Sequence, residues 1–559
     1  MMINAIVYLH NSGGKVWYKH EDKEIAIYLK GYAYYDGKLI GGDDLVEVFS
    51  AELGHTDKCN IHNFSKIIDD MNGSFSVIYK TNDRIFAAVD KVRSIPLFYG
   101  IEDNQVYLSD DGNFIKTKMG SSGKNIIQET EFMLTGYVTG SETLHSDIFQ
   151  LQAAECLYVN GEGINLQKVT MRYYAYYEKS YTEKNISDLH SEHDAIINRV
   201  FLRLLKSLNG KPVVIPLSGG LDSRLIACMF RKYNYDNVIC FSYGIPNNTE
   251  SVISKMVAKQ LGFPWVFVEY SHKKWYDLIR SSYGKEYLTY LQGISSVAHV
   301  QDWPAVYELK NKGMVPKDSI FIPGHSFDFL GGSHIPEKLF YGHDLGIDDL
   351  VESIISRHYT LWDISQQDTN TQIMLKEKIL TSFSDISMEN RNNLISAFEC
   401  WVWQERQAKF IVNSCRVYEY WGFDWRIPLW DDELIHYWSK IPPNKKYRRK
   451  MLRQYLSDFI FKQHNVDFEN NNISDISKND IYLSRKVFQY VRDLLQKNTI
   501  YKNLRKNIYY RHFKSKQVYK NDPLGWFGIM DKHEFSTIYS GEINITSILV
   551  LERLGKIDL

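Results

Sequence analysis

The string Ser218-Gly219-Gly220-Leu221-Asp222-Ser223 concentrates phosphate-binding chemistry in one short loop. Adjacent glycines let backbone N–H groups approach an anion, and a helix beginning there turns its positive end toward it. The two serines add hydroxyl donors, and Asp222 supplies a carboxylate suited to Mg²⁺. The spacing is not G-x-x-x-x-G-K-[ST], so the loop is not of the Walker type. Outside phosphate chemistry, the same residues would make a tight turn with Asp or Ser capping a helix. Two further stretches carry reactive types. Gly324-His325-Ser326-Phe327-Asp328 offers an imidazole that ordinarily titrates near neutrality and a second carboxylate. Tyr447-Arg448-Arg449-Lys450-Met451-Leu452-Arg453 is a basic run whose plainest reading is a solvated helix face.

The elements that must position these residues follow from periodicity. Val213 to Leu217 is an apolar strand that delivers the chain into the loop, and Leu221 to Arg231 has a helical pattern. Val238–Tyr243, the helix-like Glu250–Leu261 and Trp265–Tyr270 continue the alternation, which predicts a parallel sheet with crossover helices. An amphipathic helix over His190–Leu208 precedes it, with Ile196, Ile197, Val200, Phe201 and Leu204 on one side. From about 280 onward the pattern is mostly helical. Residues 1 to about 175 are instead β-rich. Ile3–Leu9, Glu24–Leu29, Gly73–Tyr79, Arg84–Val89, Val106–Ser109 and Cys156–Val159 are separated by Gly, Asn and Asp clusters, which predicts a sandwich with a few helices. The Tyr-rich stretch around Tyr173–Asn185 reads as a linker.

Composition narrows the class. The 559 residues would make three or four units of average size, or two large domains. With 66 Lys+Arg against 67 Asp+Glu the net charge is -1, which argues against bulk nucleic acid or an anionic membrane as the main partner. Lys502–Lys520 has basic residues, no acid and interleaved aromatics; the reading favours a basic surface that steers an anionic substrate over a nucleic-acid patch. The six cysteines lack any C-x-x-C pair, too sparse for a disulfide framework and consistent with a reducing compartment. The longest apolar runs, such as Ile545–Leu551, fall short of the roughly 18 residues of a membrane helix. The first residues show no basic region ahead of an apolar core, so a cytoplasmic protein without a signal peptide is expected.

The Ser218–Ser223 string resembles the pyrophosphate loop of the N-type ATP pyrophosphatases, a group that includes asparagine, GMP and NAD synthetases. Asp70-Met71-Asn72-Gly73-Ser74-Phe75-Ser76, Val89 to Tyr99 with its Arg93-Ser94-Ile95-Pro96, and Leu134-Thr135-Gly136-Tyr137-Val138 resemble the class II glutamine amidotransferase domain. In this order they resemble the asparagine synthetase family over nearly the whole chain. The resemblance implies an amidotransferase-like domain over 1–175 and an ATP-dependent ligase domain of parallel α/β type with a helical C-terminal part over 186–559. It implies that ATP, its pyrophosphate and Mg²⁺ are held by Leu217, Ser218, Gly219, Gly220, Asp222 and Ser223, with Ser242, Tyr243 and Gly244 on the adenine side. Gly324, His325 and Asp328 resemble part of S-G-E-G-S-D-E, making Asp328 a second Mg²⁺ carboxylate. Asp424 to Asp431 resembles the R-x-P-F-L-D turn; in the plainest reading Arg426 pairs with Asp431.

Three departures shape the expected function. The family's glutaminase cysteine stands at position 2, where this sequence has Met2, so glutamine hydrolysis is expected to be absent and Asn72-Gly73 to remain as scaffold. His325 replaces a glutamate and is read either as a general base or as a backbone-bonding residue. Arg449 falls at the position of the family's transition-state lysine and Lys450 one step on; both stay open. The expected activity is adenylation of a small-molecule, peptide or sugar carboxylate (aspartate among them) and transfer to ammonia or a substrate amine. Ammonia would come free or from a separate donor, and the resemblance allows a homodimer. β-lactam synthetases and lasso-peptide cyclases are relatives that use a substrate amine, and polysaccharide-amidating members fit equally. The alternatives are an idle nucleotide-binding scaffold and, less well fitted to the N-terminal part, a tRNA-modifying pyrophosphatase. The aromatic group Trp401, Trp403, Tyr418, Tyr420, Trp421 and Trp425 reads as core or as a pocket wall.

Overall fold

Residues along a β-strand point to alternate faces, so a strand buried on both sides serves two cores at once. The computed structural model describes residues 3–11, 14–53, 59–121, 123–161, 166–291, 293–297, 299–383, 386, 388–468, 514–539 and 543–558; Met2 and residues 502–513 of the basic stretch lie outside them. The N-terminal strands are β1 (Ala5–Tyr8), β2 (Tyr18–Glu21), β3 (Ile25–Tyr35), β4 (Lys38–Ile40), β5 (Asn72–Thr81), β6 (Arg84–Val89), β7 (Phe98–Glu102), β8 (Gln105–Ser109), β9 (Ile148–Gln150), β10 (Glu155–Asn160) and β11 (Gln167–Arg172). They form a sheet of order β11-β10-β6-β5-β3-β2, with β4 paired to β3, and a second sheet of order β1-β8-β7-β9.

Their alternation builds four layers. Ile27, Leu29, Val77, Tyr79, Phe86 and Ala88 pack against helices Gly42–Leu53 and Ile61–Asp69 through Phe49, Phe64 and Ile68. Their neighbours Tyr28, Ile78, Ile85, Ala87 and Val89 join Tyr99, Val106 and Leu108 of the second sheet. The far face of that sheet, Phe98, Tyr107 and Ile148, meets Ile115 and Met119 of helix Gly112–Met119. The result is helices, sheet, sheet, helix: the expected sandwich, covered on both outer faces.

The second half is a parallel sheet built from β12 (Val213–Pro216), β13 (Val238–Gly244), β14 (Trp265–Glu269), β15 (Ile320–Phe321) and β16 (Asp424–Trp425), in the order β14-β13-β12-β15-β16. Helices Ile186–Leu208, Leu221–Lys232 and Thr249–Leu261 pack with it. Asn185 and Asn248 cap two of them by accepting from the N–H groups of Asp188 (3.0 Å) and Ser251 (2.9 Å). From β12 the order runs outward first to β14 and then, on the other side, to β15 and β16. The reversal falls between β12 and β15, the place where open α/β sheets leave a crevice at the carboxyl ends of their strands.

The stretch 173–185 is irregular chain between the two halves, exposed at 179–180 and 183–185, with its first residues packed down. Tyr176 is 2% exposed against Phe329, and the Tyr173 hydroxyl donates to the Val89 carbonyl at 2.7 Å. The remainder is helical, and helix Arg391–Val402 continues into a wider turn with i→i+5 bonding over Trp403–Ile411. Among the described residues no helix is long and apolar enough to cross a membrane.

Candidate active site

β12 ends at Pro216, and the loop that follows is braced by its own two serines. The Gly220 N–H donates to Ser218 Oγ at 3.1 Å, the Ser218 N–H donates to Ser223 Oγ at 3.1 Å, and the two hydroxyl oxygens are 3.1 Å apart. Gly220 stands at the cap position of helix Leu221–Lys232 with extended backbone and no side chain accepting from the first turn. The leading N–H groups of that helix are therefore not consumed by a capping residue, as an anion site requires. Arg224, one turn into the helix, is buried; its guanidinium donates to the carbonyls of Gly219 and Val466, each at 3.0 Å, and ties the loop in place.

The chain leaving β15 meets this loop. A Cβ placed on Gly324 would lie 2.8 Å from the Ser223 nitrogen and 3.2 Å from the Asp222 Cβ, so only glycine permits the approach. Past it, the Asp328 N–H donates to Asp222 Oδ2 at 2.9 Å. Among the described residues, Asp222 Oδ1 is buried with no hydrogen-bond partner. Burial and the neighbouring Asp328 charge push the Asp222 carboxyl up. Burial acts the same way on Asp328, but the hydrogen bond and charge of His334, whose Nε2 lies 3.5 Å from Oδ2, hold it below the usual carboxylate range. A buried carboxylate oxygen without a partner, beside a second carboxylate, fits a cation shared with phosphate oxygens. Among the described residues no group of three or more His, Cys, Asp and Glu could hold a metal alone.

His325 is half-buried, with Nδ1 3.6 Å from Cys415 Sγ. Burial and the nearby His299 push its pKa down to about 4, so the ring is neutral at pH 7 and a weaker base than imidazole in water. Of the two candidate cations, half-buried Arg449 acts on Asp222, whereas Lys450 is exposed. Arg448 and Arg449 adopt consecutive left-handed conformations (φ 54° and 61°) ahead of helix Lys450–Tyr455. Such backbone costs about 1–3 kcal/mol per residue and clusters at functional sites.

Beside the loop, a cavity of about 300 Å³ opens between the ends of β12 and β13. Leu217, Ser218, Ser242 and Tyr243 line it, together with Asn248, Gln301 and Leu524. The Tyr243 ring stacks on Tyr270 at 5.0 Å, and its hydroxyl accepts from Gln301 Nε2 at 3.2 Å. Gly244 has φ +122°, and a Cβ there would lie 2.8 Å from Asn248 Nδ2 and 3.0 Å from the Pro523 carbonyl, which also accepts from Ile245 N–H at 3.0 Å. The structure thus brings Leu217–Ser223, Ser242–Gly244, Gly324–Asp328 and Arg449 to one end of the sheet. Sequence reading missed Arg224, Gln301, Asn248 and Leu524. Arg224 lies in the motif's own helix, while Leu524 carries no local signal.

Other candidates resolve differently. Arg426 pairs with Asp424 at 2.6 Å and not with Asp431, because the latter is taken by Arg203 at 2.8 Å. Trp401, Trp403, Tyr418, Trp421 and Trp425 are buried in the main core. Asn72 Oδ1 accepts from the Asp432 N–H at 3.2 Å, and the cavity at Asn72-Gly73 is about 20 Å³, space for about one water. A larger cavity of about 650 Å³ lies between Thr139–Glu142, Tyr173–Tyr177 and Gln404–Glu405. Its carboxylates are already paired, Glu142 with Lys378 at 2.9 Å and Glu405 with Lys409 at 2.5 Å.

An asparagine synthase family model matches residues 206–283, a span that holds β12, the Ser218–Ser223 loop, β13 and β14. No curated protein matches the chain. Among solved structures, the chain is similar to the glutamine phosphoribosylpyrophosphate amidotransferase of B. subtilis, solved with ADP and GMP, at 10% identity, covering 62% of this chain and 71% of that one with a TM-score of 0.20. It is also similar to an allosteric regulatory enzyme of purine biosynthesis at 11% identity, covering 57% of each chain with a TM-score of 0.18. Likenesses this weak carry no inference about the present chain.

Proposed function

We propose that this protein is an asparagine synthetase-like, ATP-dependent amide-forming ligase. The observation that carries the reading is the junction of two loops at the reversal of strand order. Gly324 lets the β15 loop close on the β12 loop, which sets Asp222 and Asp328 together beside a nucleotide-sized cavity. The family match over 206–283 supports it.

In this reading the adenine side of ATP occupies the cavity at Ser242–Gly244, and the β and γ phosphates rest on the Ser218–Ser223 donors. Asp222 and Asp328 would hold Mg²⁺, which neutralises phosphate charge when bound. A substrate carboxylate oxygen attacks the α-phosphorus, and the bond to pyrophosphate breaks. Arg449 is placed to stabilise charge on the α-phosphate. Ammonia or a substrate amine then attacks the acyl carbon, AMP departs with the bonding pair, and the amine loses a proton. In this reading His325, neutral at pH 7, would serve as general base or only as a hydrogen-bonding residue of the loop.

The reading divides the chain into an amidotransferase-like domain over 1–175 that hydrolyses no glutamine and a ligase domain over 186–559. Its support is that all six cysteines are buried, and burial pushes their thiols up, away from the reactive thiolate. Asn72 is engaged in packing and its cavity has no room for glutamine.

The test is AMP release from Mg·ATP by purified protein with aspartate, comparing ammonium with glutamine as the nitrogen source. AMP formed with ammonium and lost in Asp222→Ala supports the ligase. Turnover with glutamine would overturn the inactive first domain. Binding of Mg·ATP with no AMP from any carboxylate would make the protein a nucleotide-binding scaffold.

A further inference from the structure

The cavity of about 650 Å³ between Thr139–Glu142, Tyr173–Tyr177 and Gln404–Glu405 has room for a small molecule, and no step of the proposed reaction uses it. Both halves of the chain build it, with Ser141, Gln152 and Arg172 from the first and Lys378, Ser382 and Gln404 from the second. Most of its polar groups are spent within the protein. Lys378 sits between Glu131 at 2.7 Å and Glu142 at 2.9 Å, Glu405 is held by Lys409, and Gln404 Nε2 donates to Gln152 Oε1.

Arg172, the last residue of β11, is the exception. Among the described residues its Nε is buried with no hydrogen-bond partner, and its guanidinium forms no ion pair. Glu155, its register partner on β10, instead accepts from the Gln152 N–H at 2.8 Å, and burial pushes its carboxyl up, which makes it a poor counterion. A guanidinium in a cavity wall offers paired N–H donors that match a carboxylate or a phosphate. Tyr174, Tyr177 and Ile386 give the same cavity aromatic and apolar surface.

The chain from Tyr174 to Tyr177 also stands between this cavity and the segment that carries Asp328. Tyr174, Ala175 and Tyr177 line the cavity, while the buried Tyr176 turns onto Phe329 with ring centroids 5.3 Å apart. A molecule in the cavity therefore leaves the phosphate loop free.

We infer that this cavity is a second binding site, for a small aromatic anion whose acidic group, carboxylate or phosphate, is held by Arg172. The site stands on the cavity and on Arg172, and does not depend on the ligase reading.

The test titrates the full chain by calorimetry with benzoate, its neutral isostere benzamide, acetate and phenyl phosphate. The wild-type protein is expected to bind benzoate about tenfold tighter than benzamide, through the charge, and about tenfold tighter than acetate, through the ring. Arg172→Gln should bring benzoate and benzamide within about twofold of each other. Ser382→Trp fills the cavity and leaves the charge, and should weaken benzoate about tenfold or more. Saturating Mg²⁺ and a non-hydrolysable ATP analogue should leave benzoate affinity within about twofold. No measurable benzoate binding, equal affinity for benzoate and benzamide, an undiminished preference in Arg172→Gln, or displacement of benzoate by the nucleotide would each overturn the site. Should Arg172→Gln melt early, Ser382→Trp decides, and wild-type benzoate affinity in that variant would overturn it. Phenyl phosphate tighter than benzoate identifies the acid as a phosphate and the reverse as a carboxylate; either ranking supports the site. A chain that binds benzoate in this way but binds no nucleotide keeps the site and loses the ligase reading.

Discussion

The backbone N–H of Asp328 donates to Oδ2 of Asp222 at 2.9 Å, across a sequence separation of 106 residues. One oxygen of Asp222 is thereby fixed by the neighbouring loop, and the other is buried and has no partner among the described residues. The hydrogen bond orients the free oxygen while the second loop contributes its own carboxylate.

Asp222→Ala should lower AMP release about 100-fold or more, with a smaller change in melting temperature. Asp222→Asn retains an acceptor for the Asp328 N–H and should keep wild-type stability while losing Mg²⁺-dependent ATP affinity. Calorimetric ATP titration with and without Mg²⁺ checks both; an Asn variant of wild-type affinity would remove Asp222 from the cation site.

Gly324→Ala forces a Cβ to within 2.8 Å of the Ser223 nitrogen, and backbone cannot yield as a flexible side chain does. We expect a loss of about 1–3 kcal/mol in stability and a wider spacing of the two loops. ATP affinity should fall with it, as read by denaturant melts and nucleotide titration on the same sample.

Arg449 and Lys450 are adjacent but differ in placement, so their truncations should differ. Arg449→Ala is expected to reduce kcat about 100-fold, and Lys450→Ala to leave it within about twofold. Steady-state AMP release distinguishes them; the opposite ranking would transfer the transition-state role to Lys450.

His193 supplies a pH signature from the core that packs beneath Phe327 of the site. Its ring is fully buried, stacked 5.1 Å from Tyr437 with edge contacts to Trp438 and Tyr455, and neither nitrogen has a partner among the described residues. Burial, with some help from His190, pushes its pKa down to about 3. Below the ordinary value of about 6.5 the unfolded chain takes up a proton that the folded ring refuses, so its contribution is full above pH 6.5 and is lost as pH falls toward 3. The slope is about 1.4 kcal/mol per pH unit. Replacing His193 with Phe should remove about one proton's worth of acid sensitivity, measured by urea melts between pH 5 and 7.

Much of this site was legible because its parts are local. Val213–Pro216 followed by Ser218–Ser223 is a strand, an anion loop and a helix in unbroken succession, and apolar periodicity marks each boundary to within a residue or two. Asp328 was legible through its own short string. Gln301 and Leu524 were not, since each is an ordinary residue until the fold carries it to Tyr243 and Leu217. In the first half, β4 and β9, of three residues each, escaped notice as runs too short to declare a period. That the start of the linker, Tyr173–Tyr177, packs down was not legible, because tyrosines look alike on a surface and in a polar interior, and only the partners Val89 and Phe329 decide the matter.

The nucleotide cavity also has an order in time. Its walls come from Leu217, Gln301 and Leu524, and strand β16 closes the edge of the sheet at Asp424. At about 5–20 residues per second, a ribosome emits the first wall some 15–60 s before the last. Throughout that interval the Ser218–Ser223 loop exists without an enclosed pocket. On the proposed reading, a nascent chain would hold ATP poorly until its synthesis is nearly finished, and a half-built chain would activate no carboxylate.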